Sequence, residues 1–136
     1  NTIRISMTGD PIHEVRIAKR LLEIGGFRFS PFTIIACPTC GRTDEQLDIL
    51  GLAQEVTQMM HDRFEEILKK KLHHITVAIM GCEVNGPGEA RHADVGIAGA
   101  RNGRVVLFAK GEKITMLPAK EAVKAIAEQI AILSGC

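Results

Sequence analysis

The sequence has no tryptophan, no tyrosine and only five phenylalanines. That scarcity weakens any function that stacks bases or sugars on aromatic rings. Charge of one sign is also missing: 17 Lys+Arg stand against 16 Asp+Glu, a formal net charge of +1. Proteins that bind nucleic acid or a membrane surface carry a basic excess, so neither partner is expected. No apolar run approaches the roughly 18 residues of a transmembrane helix. No basic-then-apolar leader opens the chain, so no secretory signal is visible. Asn1 stands where an initiator Met would, which reads as an excised fragment. There are no internal repeats and no low-complexity linker. What remains is a 136-residue chain, 46% hydrophobic and 24% charged, the composition of an ordinary globular domain. That length suits one compact domain, or one domain plus a fragment of another. At this size about two-thirds of the unfolded surface can be buried, so the core needs no disulfides.

Polar and apolar residues alternate from Thr2 to Ser6, which reads as a short strand. Asp10-Pro11 then gives an N-cap followed by Pro in the first helical turn, where its missing N–H costs nothing. Ile12, Val15, Ala18, Leu21 and Leu22 share one face of that helix, and Gly25-Gly26 ends it. Phe32 to Ala36 is a buried-type strand that runs into Cys37. Thr43 and Gln46 form a capping-box pattern ahead of a second helix. Its stripe is Ile49, Leu52, Val56, Met59 or Met60, Phe64 and Ile67, with Gly51 a candidate break and Lys69 to Lys71 closing it. The Met pair reads as core filler. Ile75 to Met80 is almost wholly apolar, a strand covered on both faces that runs into Gly81-Cys82. Val95 to Ala98, Arg104 to Ala109 and Lys113 to Met116 are three short strands. Asn102-Gly103 is a type I′ hairpin signal, and Lys110-Gly111 a second turn. Pro118 opens a final helix with Ala119, Ala122, Val123, Ile126, Ile130 and Leu133 on one face. The pattern predicts a small α/β domain with a mixed β-sheet flanked by helices.

Cysteines stand at 37, 40, 82 and 136, a spacing unlike that of a small disulfide scaffold. The close Cys37/Cys40 pair reads as metal, cluster or redox chemistry. A helix N-terminus beyond this loop would favour thiolates and an anionic cluster. Alone the loop has three readings: half a zinc site, a dithiol redox pair, or half an iron–sulfur site. A second loop, Met80-Gly-Cys82-Glu-Val-Asn-Gly-Pro-Gly-Glu-Ala90, offers a third thiolate at a strand end. Its glycines and proline suit a backbone that closely approaches a bulky group. The ordinary alternative is a plain Gly/Pro turn with a buried cysteine. Both loops follow apolar strands, and parallel neighbours bring such ends to one edge of a sheet. Cys37, Cys40 and Cys82 are therefore expected to converge. Cys136, at the chain's last position, is discounted as a fourth ligand. His73 and His74 precede the third strand, at its wrong end. Glu83 and Glu89 lie in the loop, and the residue chemistry does not choose between them. His13, His61 and His92 are read as surface residues.

Cys37-Pro-Thr-Cys40-Gly-Arg42, followed by Gly81-Cys82-x-Val-Asn85-Gly-Pro-Gly-Glu89-Ala90, resembles the C-terminal part of the 4-hydroxy-3-methylbut-2-enyl diphosphate synthase family. These are iron–sulfur enzymes of the methylerythritol phosphate route to isoprenoids. The resemblance covers essentially the whole chain, and the second run is long and specific. It implies that residues 1–30 are the last strand and helix of a TIM barrel, and that residues 31–136 are a cluster-binding α/β domain similar to part of the sulfite reductases. It implies a 4Fe–4S cluster held by Cys37, Cys40, Cys82 and the carboxylate of Glu89, a harder and more exchangeable ligand than thiolate. It places Asn85 facing cluster and substrate, and Arg4 and Ser6 at the substrate's diphosphate. Taken alone, Arg4 and Ser6 are polar positions of a half-exposed strand. Arg42 is either a cation near the cluster or a solvent-exposed residue. The implied reaction is the two-electron reductive dehydration of 2-C-methyl-D-erythritol 2,4-cyclodiphosphate. Flavodoxin or ferredoxin would be the electron donor, an N-terminal barrel domain the missing part, and a homodimer the full-length assembly. The location would be cytoplasmic in a bacterium, or plastid in a plant or alga. A zinc or dithiol module built on Cys37, Cys40 and Cys82, without catalysis, is the alternative.

Overall fold

The computed structural model describes residues 2–37, 39–84 and 86–135, apart from the side chains at 86, 87 and 89. The chain divides into two compact units, Asn1–Ser30 and Pro31–Cys136.

The first unit carries helix α1, Pro11–Ile24. Asp10 caps it by accepting the Ile12 amide at 2.9 Å, with Pro11 in the first turn. Glu14 reaches back to accept the Met7 amide at 2.9 Å. Residues 2–7 form no strand, contrary to the alternation read from Thr2 to Ser6. Alternation gives a segment two faces; a strand also needs a neighbouring backbone to satisfy its N–H and C=O groups.

The second unit is a five-stranded mixed sheet in the order β1-β2-β3-β4-β5, as the alternation of elements predicted. Strand β1 is Phe32–Ala36, β2 Ile75–Met80, β3 Val95–Gly99, β4 Arg104–Ala109 and β5 Glu112–Pro118. The first three run parallel, and the last two continue as an antiparallel meander. Parallel neighbours need long crossovers. Helices α2 (Ile49–Met59) and α3 (Glu65–Lys71) supply the one between β1 and β2, and α4 (Gly86–Arg91) the one between β2 and β3. Both meander turns have their two central residues at positive φ: Asn102 and Gly103 at 61° and 64°, Lys110 and Gly111 at 51° and 80°. That is the backbone a type I′ turn demands, and it matches the twist of the strands it joins.

Alternate residues of the three interior strands, β2 to β4, enter two cores. On one face Val77, Ile79, Val95, Ile97, Val105 and Leu107 pack beneath α2, α3 and helix α5, Ala122–Ser134. On the other, Ala78, Met80, Ala98 and Phe108 pack against Ala90 of α4. Interior strand β2 is covered on both sides, as its apolar run required. Pro118 ends β5 rather than opening the last helix; a 3₁₀ turn, Ala119–Glu121, intervenes.

The second helix departs from its sequence reading in two places. It starts at Ile49, with Asp48 accepting the Gly51 amide at 2.8 Å, so Gly51 lies in its first turn and breaks nothing. Thr43 and Gln46 form no capping box, because Asp44 takes the Gln46 amide at 2.9 Å. Further on, Leu52, Val56, Met60, Phe64 and Leu68 recur every fourth residue, and all are buried. An α-helix gains ~100° per residue, so each step of four overshoots by about 40° and the stripe would rotate off the sheet. A π-helical turn over Met60–Phe64, with the Glu65 amide reaching back to the Met60 carbonyl, absorbs one residue and returns the stripe to the core. It also explains why Met60 and Leu68 are buried, whereas Met59 and Ile67 are only half-buried.

Just past this turn Glu65 pairs with His61 and Lys69 on the exposed side. Burial works to raise its pKa, but the hydrogen bonds from His61 and Lys69, with their charges, outweigh it and hold Glu65 at about 2. A depressed carboxylate contributes stability above its unfolded pKa and loses it as pH falls through the folded one. The wild-type melting temperature should therefore drop more steeply than that of Glu65→Gln between about pH 4.5 and pH 2. Thermal denaturation followed by circular dichroism across that range checks it; parallel curves would refute the assignment.

Candidate functional site

Strands β1 and β2 lie side by side and parallel, so the loops after them leave from one edge of the sheet. The ladder continues past both strands. The Cys37 amide donates to the Ile79 carbonyl at 3.0 Å. The Gly81 amide then donates to Cys37 Sγ at 3.2 Å. Regular parallel pairing would offer that amide the Cys37 carbonyl, so the sulfur has taken the carbonyl's place. Cys37 is half-buried and touches both cores. Cys82 follows Gly81 directly and is also half-buried, while Cys40 is exposed. All three are thiols outside any disulfide.

The Cys40 turn is closed from both ends. Its carbonyl accepts the Thr43 amide at 2.9 Å, and its own amide donates to Thr43 Oγ1 at 3.4 Å. This is where the Thr43 hydroxyl is used, in place of the predicted helix cap. Thr39, between the two cysteines, sits at φ 56°, a left-handed conformation costly for a β-branched residue. The loop tolerates that strain of ~1–2 kcal/mol because its ends are fixed by the ladder and the turn. Helix α2 begins at Ile49, and its first residue borders the site: Ile49 Cγ1 lies 3.1 Å from the place a Gly81 Cβ would occupy.

The floor of the site is backbone against backbone. A Cβ on Gly99 would sit 2.3 Å from the Gly81 carbonyl oxygen and 2.8 Å from Leu47 Cδ1. A Cβ on Gly81 would stand 2.8 Å from Thr43 Oγ1. The β3–β4 turn closes the third side. Asp44 Oδ2 accepts the Asn102 amide at 2.8 Å. Glu83 pairs with Arg101 at 3.5 Å, an exposed pair of little energetic weight.

The structure thus brings Cys37 and Cys82 to one edge and ties the Cys40 turn to it through Thr43. Among the described residues, no three His, Cys, Asp or Glu side chains are grouped as ligands of a single metal. Glu89 is in α4, with its side chain outside the described set. That short helix replaces the wholly irregular loop expected from Met80 to Ala90; Pro87 fits its first turn, where a free N–H is not needed. Asn85 and Cys136 lie outside the described residues. Arg4 and Ser6 belong to the first unit, where Arg4 Nε donates to Ser6 Oγ at 3.2 Å. Arg42 is exposed, as are His13, His61 and His92. Sequence reasoning missed Thr43, Asp44 and the β3–β4 turn as parts of the site. Gly99 was the available signal, since glycine in a strand marks close approach of another backbone.

A half-buried thiol that receives an amide at the C-terminal edge of parallel strands, with two more cysteines on the flanking loops, defines a thiol-bearing α/β domain suited to a soft metal centre. Residues 33–132 match the family described as "GcpE protein C-terminal domain", and the chain belongs to it. It is 44% identical over 134 residues to the 4-hydroxy-3-methylbut-2-en-1-yl diphosphate synthase (flavodoxin) of Bacillus subtilis, covering 98% of this chain and 33% of that protein. The protein of that name from Shouchella clausii is 45% identical over 130 residues, covering 96% and 32% respectively. The one from Bacillus mycoides is 42% identical over 135 residues, covering 99% and 34%. The chain spans about a third of the length of the curated relatives it matches.

Gly99→Ala should push the Gly81 backbone away and cost at least about 2 kcal/mol in urea denaturation. Gly41→Ala, where a Cβ meets nothing within 4 Å, should stay within about 0.5 kcal/mol of wild type. Equal stability of the two variants would contradict the close approach.

Proposed function

We propose that this chain is the 4Fe–4S-bearing part of an enzyme that converts 2-C-methyl-D-erythritol 2,4-cyclodiphosphate to (E)-4-hydroxy-3-methylbut-2-enyl diphosphate. The observation that carries the reading is the amide of Gly81 on Cys37 Sγ, with Cys82 the next residue on the same edge. Backbone N–H groups aimed at sulfur are how proteins stabilise thiolates bound to iron, and they tune such centres. Three cysteines with no fixed ligand geometry among the described residues are compatible with a site that metal binding completes. The names of the relatives give the diphosphate product and the flavodoxin.

When bound, the cluster supplies electrons and a Lewis-acidic iron. Overall, substrate takes up two electrons and two protons, opens its ring and releases one water. Cys37, Cys40 and Cys82 would hold three irons by thiolate, and Glu89 would give the fourth a harder, more exchangeable carboxylate ligand. Asn85 presents an amide to the substrate. The Gly81 amide offsets the negative charge on the Cys37 sulfur. Arg4 and Ser6 grip the diphosphate. Residues 1–30 act as the last strand and helix of the barrel, whose remainder supplies the other diphosphate contacts. The full-length enzyme is a cytoplasmic homodimer in this reading. Among the described residues, no helix is long and apolar enough to cross a membrane.

Each charge-assisted diphosphate contact is worth roughly 1.5–3 kcal/mol, so a chain lacking most of them binds substrate poorly. After anaerobic reconstitution the chain should hold iron and sulfide, absorb broadly in the visible and be bleached by dithionite, without forming product from the cyclodiphosphate. Cys82→Ser should lose the colour, whereas Glu89→Ala should keep it. A colourless chain with stoichiometric zinc and no uptake of iron would overturn the cluster in favour of a zinc module. Turnover near that of a full-length enzyme would show the barrel contacts to be dispensable.

A further inference from the structure

We propose that Thr43 is a positioning residue: its side chain couples the Cys37–Cys40 loop to the Gly81–Cys82 loop and sets where the Cys40 thiol stands before any metal arrives. The purpose of this coupling rests on the cluster reading above; the coupling itself rests on geometry alone. Thr43 Oγ1 accepts the Cys40 amide at 3.4 Å, while the Thr43 amide donates to the Cys40 carbonyl at 2.9 Å. The same hydroxyl lies 2.8 Å, and Thr43 Cγ2 3.0 Å, from the place a Gly81 Cβ would occupy, so the side chain rests on the Gly81 backbone. Gly81 in turn donates to Cys37 Sγ. Cys40, Thr43, Gly81 and Cys37 thus form a continuous chain of contacts across the two loops.

Thr43 is itself held from behind. Asp44 bonds the Gln46 amide at 2.9 Å and the Asn102 amide at 2.8 Å, pinning the turn to the β3–β4 hairpin. A side chain fixed on one side by a hairpin and on the other by a glycine backbone has little freedom. It can therefore hold Cys40, the exposed member of the trio, close to its working place. Threonine suits both tasks: the oxygen accepts the amide and the methyl fills the space over Gly81. Serine keeps the first function, and valine keeps only the second.

The test compares wild type, Thr43→Val, Thr43→Ala and Thr43→Ser in the 136-residue chain. The first readout is amide hydrogen exchange of the reduced, metal-free chain. At Cys40 it should quicken roughly tenfold in the Val and Ala variants and recover in Ser, with α5 amides unchanged. The second is the yield of cluster on anaerobic reconstitution and the electron paramagnetic resonance of its reduced form. Yield should fall and the signal broaden for Val and Ala, and both should return for Ser. Should Val fail to fold, the Ala and Ser pair decides. Wild-type exchange at Cys40 in Val or Ala would overturn the proposal, as would a melting temperature lowered with exchange and signal unmoved. A wild-type chain that takes up no cluster would overturn the cluster reading instead, and exchange at Cys40 would still decide the role of Thr43.

Discussion

The hydrogen bond from the Gly81 amide to Cys37 Sγ is the point to which the rest of the domain is fitted. For it to form, β1 and β2 must be parallel and in register up to Ala36 and Ile79. Parallel register requires a crossover, and the α2–α3 helix provides it. That helix must stay seated over the sheet for its whole length, and the π-turn at Met60–Phe64 keeps it there. Strand β2 must also be buried on both faces, which calls for α4 on one side and α2 on the other, with α5 over β3 and β4. The close approach of Gly99 then fixes the Gly81 carbonyl, and with it the peptide plane that leads into Cys82.

Much of this was legible in the sequence because it depends on local chemistry. Asn102-Gly103 and Lys110-Gly111 announce their turns, since few residues accept positive φ. The apolar run from Ile75 to Met80 announces a doubly covered strand. The misses share a different cause. Thr43 had two plausible partners, the Gln46 amide ahead and the Cys40 amide behind, and Asp44 settled the choice by taking Gln46. Such competition depends on where Asn102 lies, 58 residues along the chain. Thr2–Ser6, which the resemblance makes the last strand of a barrel whose other strands are not in this sequence, forms no strand.

The cysteine edge is likewise only partly a matter of motif. The spacing of Cys37 and Cys40 identifies a loop capable of soft-metal or redox chemistry, and the parallel pairing brings it beside Cys82. What binds there depends on groups that the cysteine pattern does not contain. These are backbone amides, a threonine hydroxyl and the hairpin that braces the turn. They belong to loops whose residues look like ordinary turn formers.

Because side chains alternate along a strand, the register of β1 against β2 also decides which face each residue presents. Replacing one apolar residue of Phe32–Ala36 by another changes packing by a methyl group or two. Removing one residue rotates everything beyond it to the opposite face and draws Cys37 back along the ladder, away from the Gly81 amide. In evolutionary terms these strands are free to exchange one apolar residue for another but not to change in length. Insertions and deletions belong instead in the β4–β5 turn at Lys110-Gly111, which plays no part in fixing the thiols.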